Sequence, residues 1–135
     1  LIRRAQQIAV AEFVRGLADF DITPVQFALL NAVIDAPGVD QVTLARTVAF
    51  DPATSGSVIG RLEAKGWVRR EADVQDRRRK LLFVTPDGTQ AVAQMSTAVA
   101  QVQQHILTPL PVQDQKRFLD LLARLVAGHE GEPQP

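Results

Sequence analysis

A chain of 135 residues, 46% of them hydrophobic, with a mean hydropathy near zero, has material for one domain and a buried core. It has no cysteine, which excludes disulfides, thiolate metal sites and thiol redox switches. Its net charge is zero, and its two histidines, His105 and His129, are far apart, so no metal or other cofactor is expected.

The first helix is expected over Ile2 to Phe20, where Ile2, Ala5, Ala9, Phe13 and Leu17 recur at helical spacing with Ile8, Val10 and Val14 beside them. A face this broad sits centrally or meets a partner. Thr23-Pro24-Val25-Gln26 starts a second helix: Thr23 caps, Pro24 suits the first turn and Gln26 completes a capping box. Pro37-Gly38 stops it. Asp40 then caps a short helix carrying Leu44, Ala45 and Val48, with its end at Phe50. Asp51-Pro52 opens a fourth helix reaching Gly66, with Val58, Ile59 and Leu62 inward and Ala53, Thr54, Ser57 and Arg61 outward. Two short capped helices joined in this way form a helix-turn-helix pattern.

Beyond Gly66 the period shortens. Trp67 to Arg70 and Leu81 to Val84 read as strands flanking the charged stretch from Glu71 to Lys80. Thr85-Pro86-Asp87-Gly88 restarts a helix along which Val92, Met95, Val99, Val102 and Ile106 form a heptad seam that calls for another helix. Pro109 and Pro111 break it. A last helix carries Phe118, Leu121, Leu122 and Leu125 and ends at Gly128. The class is mainly α with a small two- to three-stranded β-wing. No apolar run is long enough to span a membrane, and Leu1-Ile2-Arg3-Arg4 does not open as a signal peptide does. A cytoplasmic location is expected.

Charge is neutral in total but not in distribution. Arg61 to Lys80 holds eight cations (Arg61, Lys65, Arg69, Arg70, Arg77, Arg78, Arg79, Lys80) against four anions, more than half of the chain's 15 Lys and Arg. A phosphate backbone senses such a local patch rather than the total. In this order of elements the capped fourth helix is suited to the major groove, and the charged loop can place arginine in the minor groove. Enzyme chemistry finds no support: there is no glycine-rich phosphate loop and no close carboxylate pair in an apolar setting, and Ser55 has no local histidine base. The alternative is a helical protein-interaction module dimerising through the 92–106 seam, but it leaves the charged strand-loop-strand unexplained.

The run from Asp51 to Arg70 resembles the recognition helix and first wing strand of the MarR family. Asp76-Arg77-Arg78-Arg79-Lys80, followed by Thr85-Pro86-Asp87-Gly88, is similar to its wing signature. The resemblance covers nearly the whole chain. It implies a homodimer built by the first and last helices, bound to a pseudo-palindromic DNA operator, usually as a repressor released by a small, often aromatic, ligand. The chain then divides into a dimerisation helix (1–20), a winged helix-turn-helix lobe (21–88), C-terminal dimerisation helices (89–128) and a polar tail (129–135). Dimer contacts are expected at Ile2, Ala5, Val99, Val102, Ile106, Phe118 and Leu122. By the same resemblance Thr54, Ser55, Ser57 and Arg61 contact DNA, Arg77 is the wing-tip arginine, and Asp76 with Arg78 braces the wing. Arg79 departs from the small or polar residue common at its position and is expected to add a phosphate contact. Gln41 and Thr43, opening the third helix, are expected to touch the DNA backbone.

The family's pocket lies between the dimerisation helices and the DNA-binding lobe. On this chain Phe13, Leu17, Phe20, Phe27 and Leu30 are candidate apolar walls, and Gln7 and Arg15 candidate polar partners. An arginine fork beside aromatic walls suits an aromatic carboxylate. The segments Ile2 to Ile8 and Asp21 to Phe27 resemble a subgroup controlling catabolism of aromatic acids such as nicotinate derivatives or hydroxycinnamates. His105 is expected at an interface or surface.

Overall fold

Local capping sets the element boundaries. The computed structural model describes residues 1–48 and 52–130; the expected cap Asp51 and helix end Phe50 lie outside them. Helix α1 (Ile2–Gly16) is followed by a single 3₁₀ turn (Ala18–Phe20) and by Asp21 with a positive φ of 49°. The first helix therefore stops short of Phe20. In α2 (Pro24–Asp35) the capping box is complete: Thr23 Oγ1 accepts from the Gln26 amide at 3.1 Å, and Gln26 Oε1 accepts from the Thr23 amide at 3.4 Å. Strand β1 (Val39–Asp40) leads into α3 (Gln41–Thr47), which Asp40 caps through the Thr43 amide at 2.9 Å. Helix α4 (Pro52–Ala64) ends at Gly66, whose φ of 77° suits a residue without a Cβ. The hairpin of β2 (Val68–Ala72) and β3 (Lys80–Val84) follows, then α5 (Pro86–Leu107) and α6 (Val112–Glu130). Helix α5 runs unbroken past the boundary expected at 88.

The sheet has three antiparallel strands in the order β1-β3-β2, with Val39 opposite Leu82, Asp40 opposite Leu81 and Arg70 opposite Leu82. The two-residue β1 holds the third place, and the Gly38 amide extends its pairing to the Leu82 carbonyl at 2.8 Å. Leu29, Leu30, Val33, Leu44, Ile59, Leu62, Val68 and Leu82 form the core under this sheet, and Leu17 and Met95 join it from α1 and α5. Lys65, at the end of α4, donates to the Asp21 carbonyl and to Gln26 Oε1, and lies over the Trp67 ring. It ties the turn between α1 and α2 to the end of α4.

Part of the heptad seam of α5 is used within the chain. Met95 and Val102 are buried within the chain, and α5 packs along α1, where Gly16 leaves room for a Val102 methyl. Val102 is therefore not available to a partner, because α1 of the same chain covers it. The uncovered apolar side chains sit elsewhere. No residue of α6 is buried, and Phe118, Leu119, Leu121, Leu122, Leu125 and Val126 are all exposed; so are Ile2, Ile8, Val10 and Val14 on α1. Gln115 Nε2 fixes the turn into α6 by donating to the Leu107 and Leu110 carbonyls at 3.1 and 2.9 Å.

Candidate nucleic-acid interface and effector clefts

Helix α4 divides into two faces. Ile59 and Leu62 are fully buried, and Thr54, Ser57 and Arg61 are exposed on the opposite side. Ser55 does not share that exposed face: it is 0% exposed and its hydroxyl has no hydrogen-bond partner. The expectation of a DNA contact at Ser55 is thus corrected, since Ser55, Ile59 and Leu62 follow one another at four and three residues on the inward stripe. At Gly56 the preceding helix, α3, comes close: a Cβ there would meet Gln41 Nε2 at 3.2 Å. Gln41 Oε1 accepts from Arg70 Nη1 at 3.2 Å, and Arg70 Nε lies 3.6 Å from Glu63 Oε2. Gln41 and Arg70 thereby set α3 against α4 and β2. The hydroxyl and amide donors of Thr43 are both committed to Asp40, at 2.7 and 2.9 Å. A phosphate oxygen requires donors, and neither of these is free to serve it in this state.

The wing loop is closed by backbone bonds, Asp73 N to Arg79 O at 3.0 Å and Arg79 N to Asp76 O at 2.9 Å, and Asp76 Oδ1 accepts from the Arg78 amide at 3.1 Å. Side-chain bracing falls to a different residue from the one expected. Arg78 Nε is 3.9 Å from Asp76 and its side chain is 97% exposed, a pair of little strength. Arg79 instead reaches Asp40 Oδ2 at 3.1 Å and Asp73 Oδ2 at 3.2 Å. The β1–β3 pairing brings Asp40 close to Arg79, so this half-exposed cation is held by two carboxylates of its own chain. Arg77 stands exposed at the tip beside Arg78. A shallow cleft of about 250 Å³ separates the wing from the first turn of α3, lined by Asp40, Gln41, Val42, Arg78, Arg79 and Lys80.

The Asp40 carboxyl is lowered from 3.8 to about 2, first by the Thr43 hydroxyl, then by the Thr43 amide and Arg79, against the opposing effect of burial. A folded value below the unfolded one contributes stability that is complete above about pH 4 and is lost as pH falls toward about 2. The urea midpoint should therefore drop across this range. Asp40→Asn, which keeps a capping oxygen, should flatten that part of the curve. An identical pH profile in the variant would remove Asp40 from the account.

Two clefts flank the α1–α5 contact, with Val102 bordering both. One, about 290 Å³, is lined by Ala9, Val10, Phe13, Phe27, Val99 and Ile106 among others, and its Phe13 and Phe27 rings are 5.5 Å apart. The other, about 280 Å³, is lined by Glu12, Arg15, Gly16, Ala98, Gln101, Val102 and His105. Phe13 and Phe27 line the first of these clefts and Arg15 the second, so the structure does not bring them into one cleft. Leu17 and Leu30 are corrected: at 1% and 0% exposure they are core residues and line neither cleft. Gln7 is exposed, accepts from Arg4 at 3.4 Å and lines neither. Glu12, which sequence reasoning missed, lies 3.2 Å from Arg15 Nη2 and 3.5 Å from His105 Nε2.

Residues 20–79 match the MarR family model. The transcriptional regulator HosA of Escherichia coli is 31% identical over 106 residues, 78% of each chain. Among solved structures, PcaV of Streptomyces coelicolor, a transcriptional regulator also solved with its natural ligand, is 33% identical with a TM-score of 0.80, covering 98% of this chain and 96% of its own. BpsR of Bordetella bronchiseptica, whose DNA binding is regulated by 6-hydroxynicotinic acid, is 32% identical with a TM-score of 0.83, covering 93% and 90%. This family's members bind DNA and form dimers, and they are regulators rather than enzymes. With an exposed α4 face beside an arginine-tipped hairpin, and these relatives along nearly its whole length, the chain belongs to the MarR family of winged helix-turn-helix transcriptional regulators.

Proposed function

We propose that the protein is a homodimeric repressor that binds a pseudo-palindromic operator and leaves it when a small aromatic carboxylic acid binds. The observation that carries this reading is the two-faced α4: Ile59 and Leu62 anchor it while Thr54, Ser57 and Arg61 stand outward. Those side chains suit base edges and phosphates in the major groove, with the fork of Arg61 matched to guanine. Arg77 at the exposed wing tip suits the minor groove. Gln41 acts here by holding α3 and β2 in place, and Arg79 by holding the wing to Asp40.

Ligand response is supported by the two clefts where α1 meets α5, one walled by Phe13 and Phe27 and the other holding Arg15. PcaV and BpsR, the one solved with its ligand and the other regulated by a hydroxylated nicotinic acid, favour an aromatic acid as effector. Helix α5 runs without a break from the wing to these clefts, so a change in its packing on α1 shifts the spacing of the two recognition helices. The acid must bind the released geometry better than the DNA-bound one; each tenfold preference is worth about 1.4 kcal/mol.

The test is fluorescence anisotropy against the DNA upstream of the protein's own gene, at a series of salt concentrations, with and without aromatic acids including 6-hydroxynicotinate. Salt-steep, sequence-selective binding relieved by one acid is the expected result. Arg77→Ala should weaken binding to all sequences alike and reduce the salt slope by about 1. An unchanged slope would take Arg77 off the phosphate backbone, and binding no tighter than to random DNA would defeat the reading.

A further inference from the structure

We propose that Glu12 is a resident counter-anion in the α1–α5 cleft, and that an incoming carboxylate displaces it from Arg15 with uptake of one proton at His105. The inference rests on reading this cleft as an effector site. Glu12 shares its carboxylate between two partners, Oε1 to Arg15 Nη2 at 3.2 Å and Oε2 to His105 Nε2 at 3.5 Å. Its side chain is only 17% exposed, whereas those of Arg15 and His105 are 69% and 64% exposed. The anion thus lies on the floor while the outer edges of both nitrogen-bearing groups face the opening. A guanidinium has five donors and Glu12 meets it at Nη2 alone, so an incoming carboxylate can dock on the remaining donors and then take Nη2 from Glu12.

The charge balance brings in the proton. With His105 neutral, Arg15 and Glu12 cancel. A second carboxylate would leave one uncompensated negative charge against Gly16, Ala98 and Val102, with only the Gln101 amide beside it. Among the described residues Glu12 and Arg15 from α1 and His105 from α5 are the charged or titratable groups lining this cleft. Histidine is the side chain that changes charge between pH 5 and 8. Protonated His105 then keeps Glu12 while Arg15 turns to the ligand, and the cluster is neutral again.

Benzoate is the probe, with benzamide as its neutral isostere, measured by calorimetry in two buffers of different ionisation enthalpy from about pH 6 to about pH 8. Wild-type protein should bind benzoate with uptake of up to one proton, weakening by as much as about tenfold per pH unit at the alkaline end. Glu12→Gln removes the competitor and the need for the proton. It should bind benzoate several-fold more tightly at the alkaline end, with little pH dependence, and His105→Gln should lose the proton uptake. Sedimentation and Trp67 fluorescence establish that each variant is folded. Benzoate binding without proton uptake, or weaker binding by Glu12→Gln, overturns this inference and leaves the effector site standing. No benzoate binding by wild type or variant at any pH overturns both.

Discussion

Replacing Leu122 by glutamate is expected to split the dimer and lower operator affinity by about a hundred- to ten-thousandfold, the factor lost when two linked half-site contacts become independent. The physical case starts from exposed area. A folded monomer of 14.8 kDa exposes about 7,000 Å², whereas this chain exposes 9614 Å². The surplus is of the size that obligate dimers bury. Exposed apolar side chains cluster on α1 and α6, with Phe118, Leu122 and Leu125 at four and three residues along α6. A helix in a protein draws most of its stability from packing its apolar face, and α6 makes no extended contact with the other described elements of its own chain. Full burial of one leucine is worth about 1.5–3 kcal/mol, and a carboxylate in its place would be buried without a partner in both copies. The DNA-binding lobe has its own core and should stay folded. Sedimentation should show a monomer with unchanged Trp67 fluorescence, and anisotropy the weakened binding. A Leu122→Glu protein that stays dimeric would move the interface off this face of α6.

What could be read from the sequence divides along the range of the interactions. Caps are local, so Thr23 with Gln26, Asp40 with Thr43 and Thr85 with Gly88 were visible as residue types at fixed spacing. The inward stripe of α4 was equally visible in principle, and Ser55 belongs to it at four residues before Ile59; serine is mostly an exposed residue type, so its identity and its spacing point opposite ways. Strand β1 has no such signal. Two residues, Val39 and Asp40, are a strand only because Leu81 and Leu82, more than forty residues later, pair with them. The role of Arg79 follows from that pairing and was hidden with it. A run of three arginines does not reveal which of them the fold will neutralise. The heptad of α5 announced a helical neighbour, but periodicity cannot say whether the neighbour is α1 of the same chain or a helix of another. Glu12 and His105 were missed as a pair because they stand on different helices.

Gly88→Ala is expected to destabilise the lobe by about 1–3 kcal/mol and to weaken operator binding with it, against the usual gain of about 1 kcal/mol from removing a helical glycine. The reason is the joint at which Gly88 lies. Thr85 Oγ1 accepts from the Gly88 amide at 3.0 Å and donates to the Gly66 carbonyl at 2.5 Å, and the Thr85 amide donates to the Trp67 carbonyl at 2.9 Å. The end of the recognition helix, the start of β2 and the first turn of α5 are thereby drawn onto one another. A Cβ on Gly88 would press into the Trp67 carbonyl oxygen, with Val84 Cγ2 at 2.8 Å and the Trp67 carbonyl carbon at 3.0 Å. Val84 can rotate; the Trp67 carbonyl is backbone and is already held by Thr85, so it yields only if that bond is given up. The clash therefore outweighs the propensity gain. Relief by tilting α5 would turn the lobe relative to the dimer helices, so operator affinity should fall further than the loss of folded protein explains. Urea unfolding and anisotropy on the same preparation separate the two effects, with Gly128→Ala as the control, since a Cβ there meets nothing within 4 Å. Gly88→Ala matching Gly128→Ala in both measurements would show that the joint is looser than this packing requires.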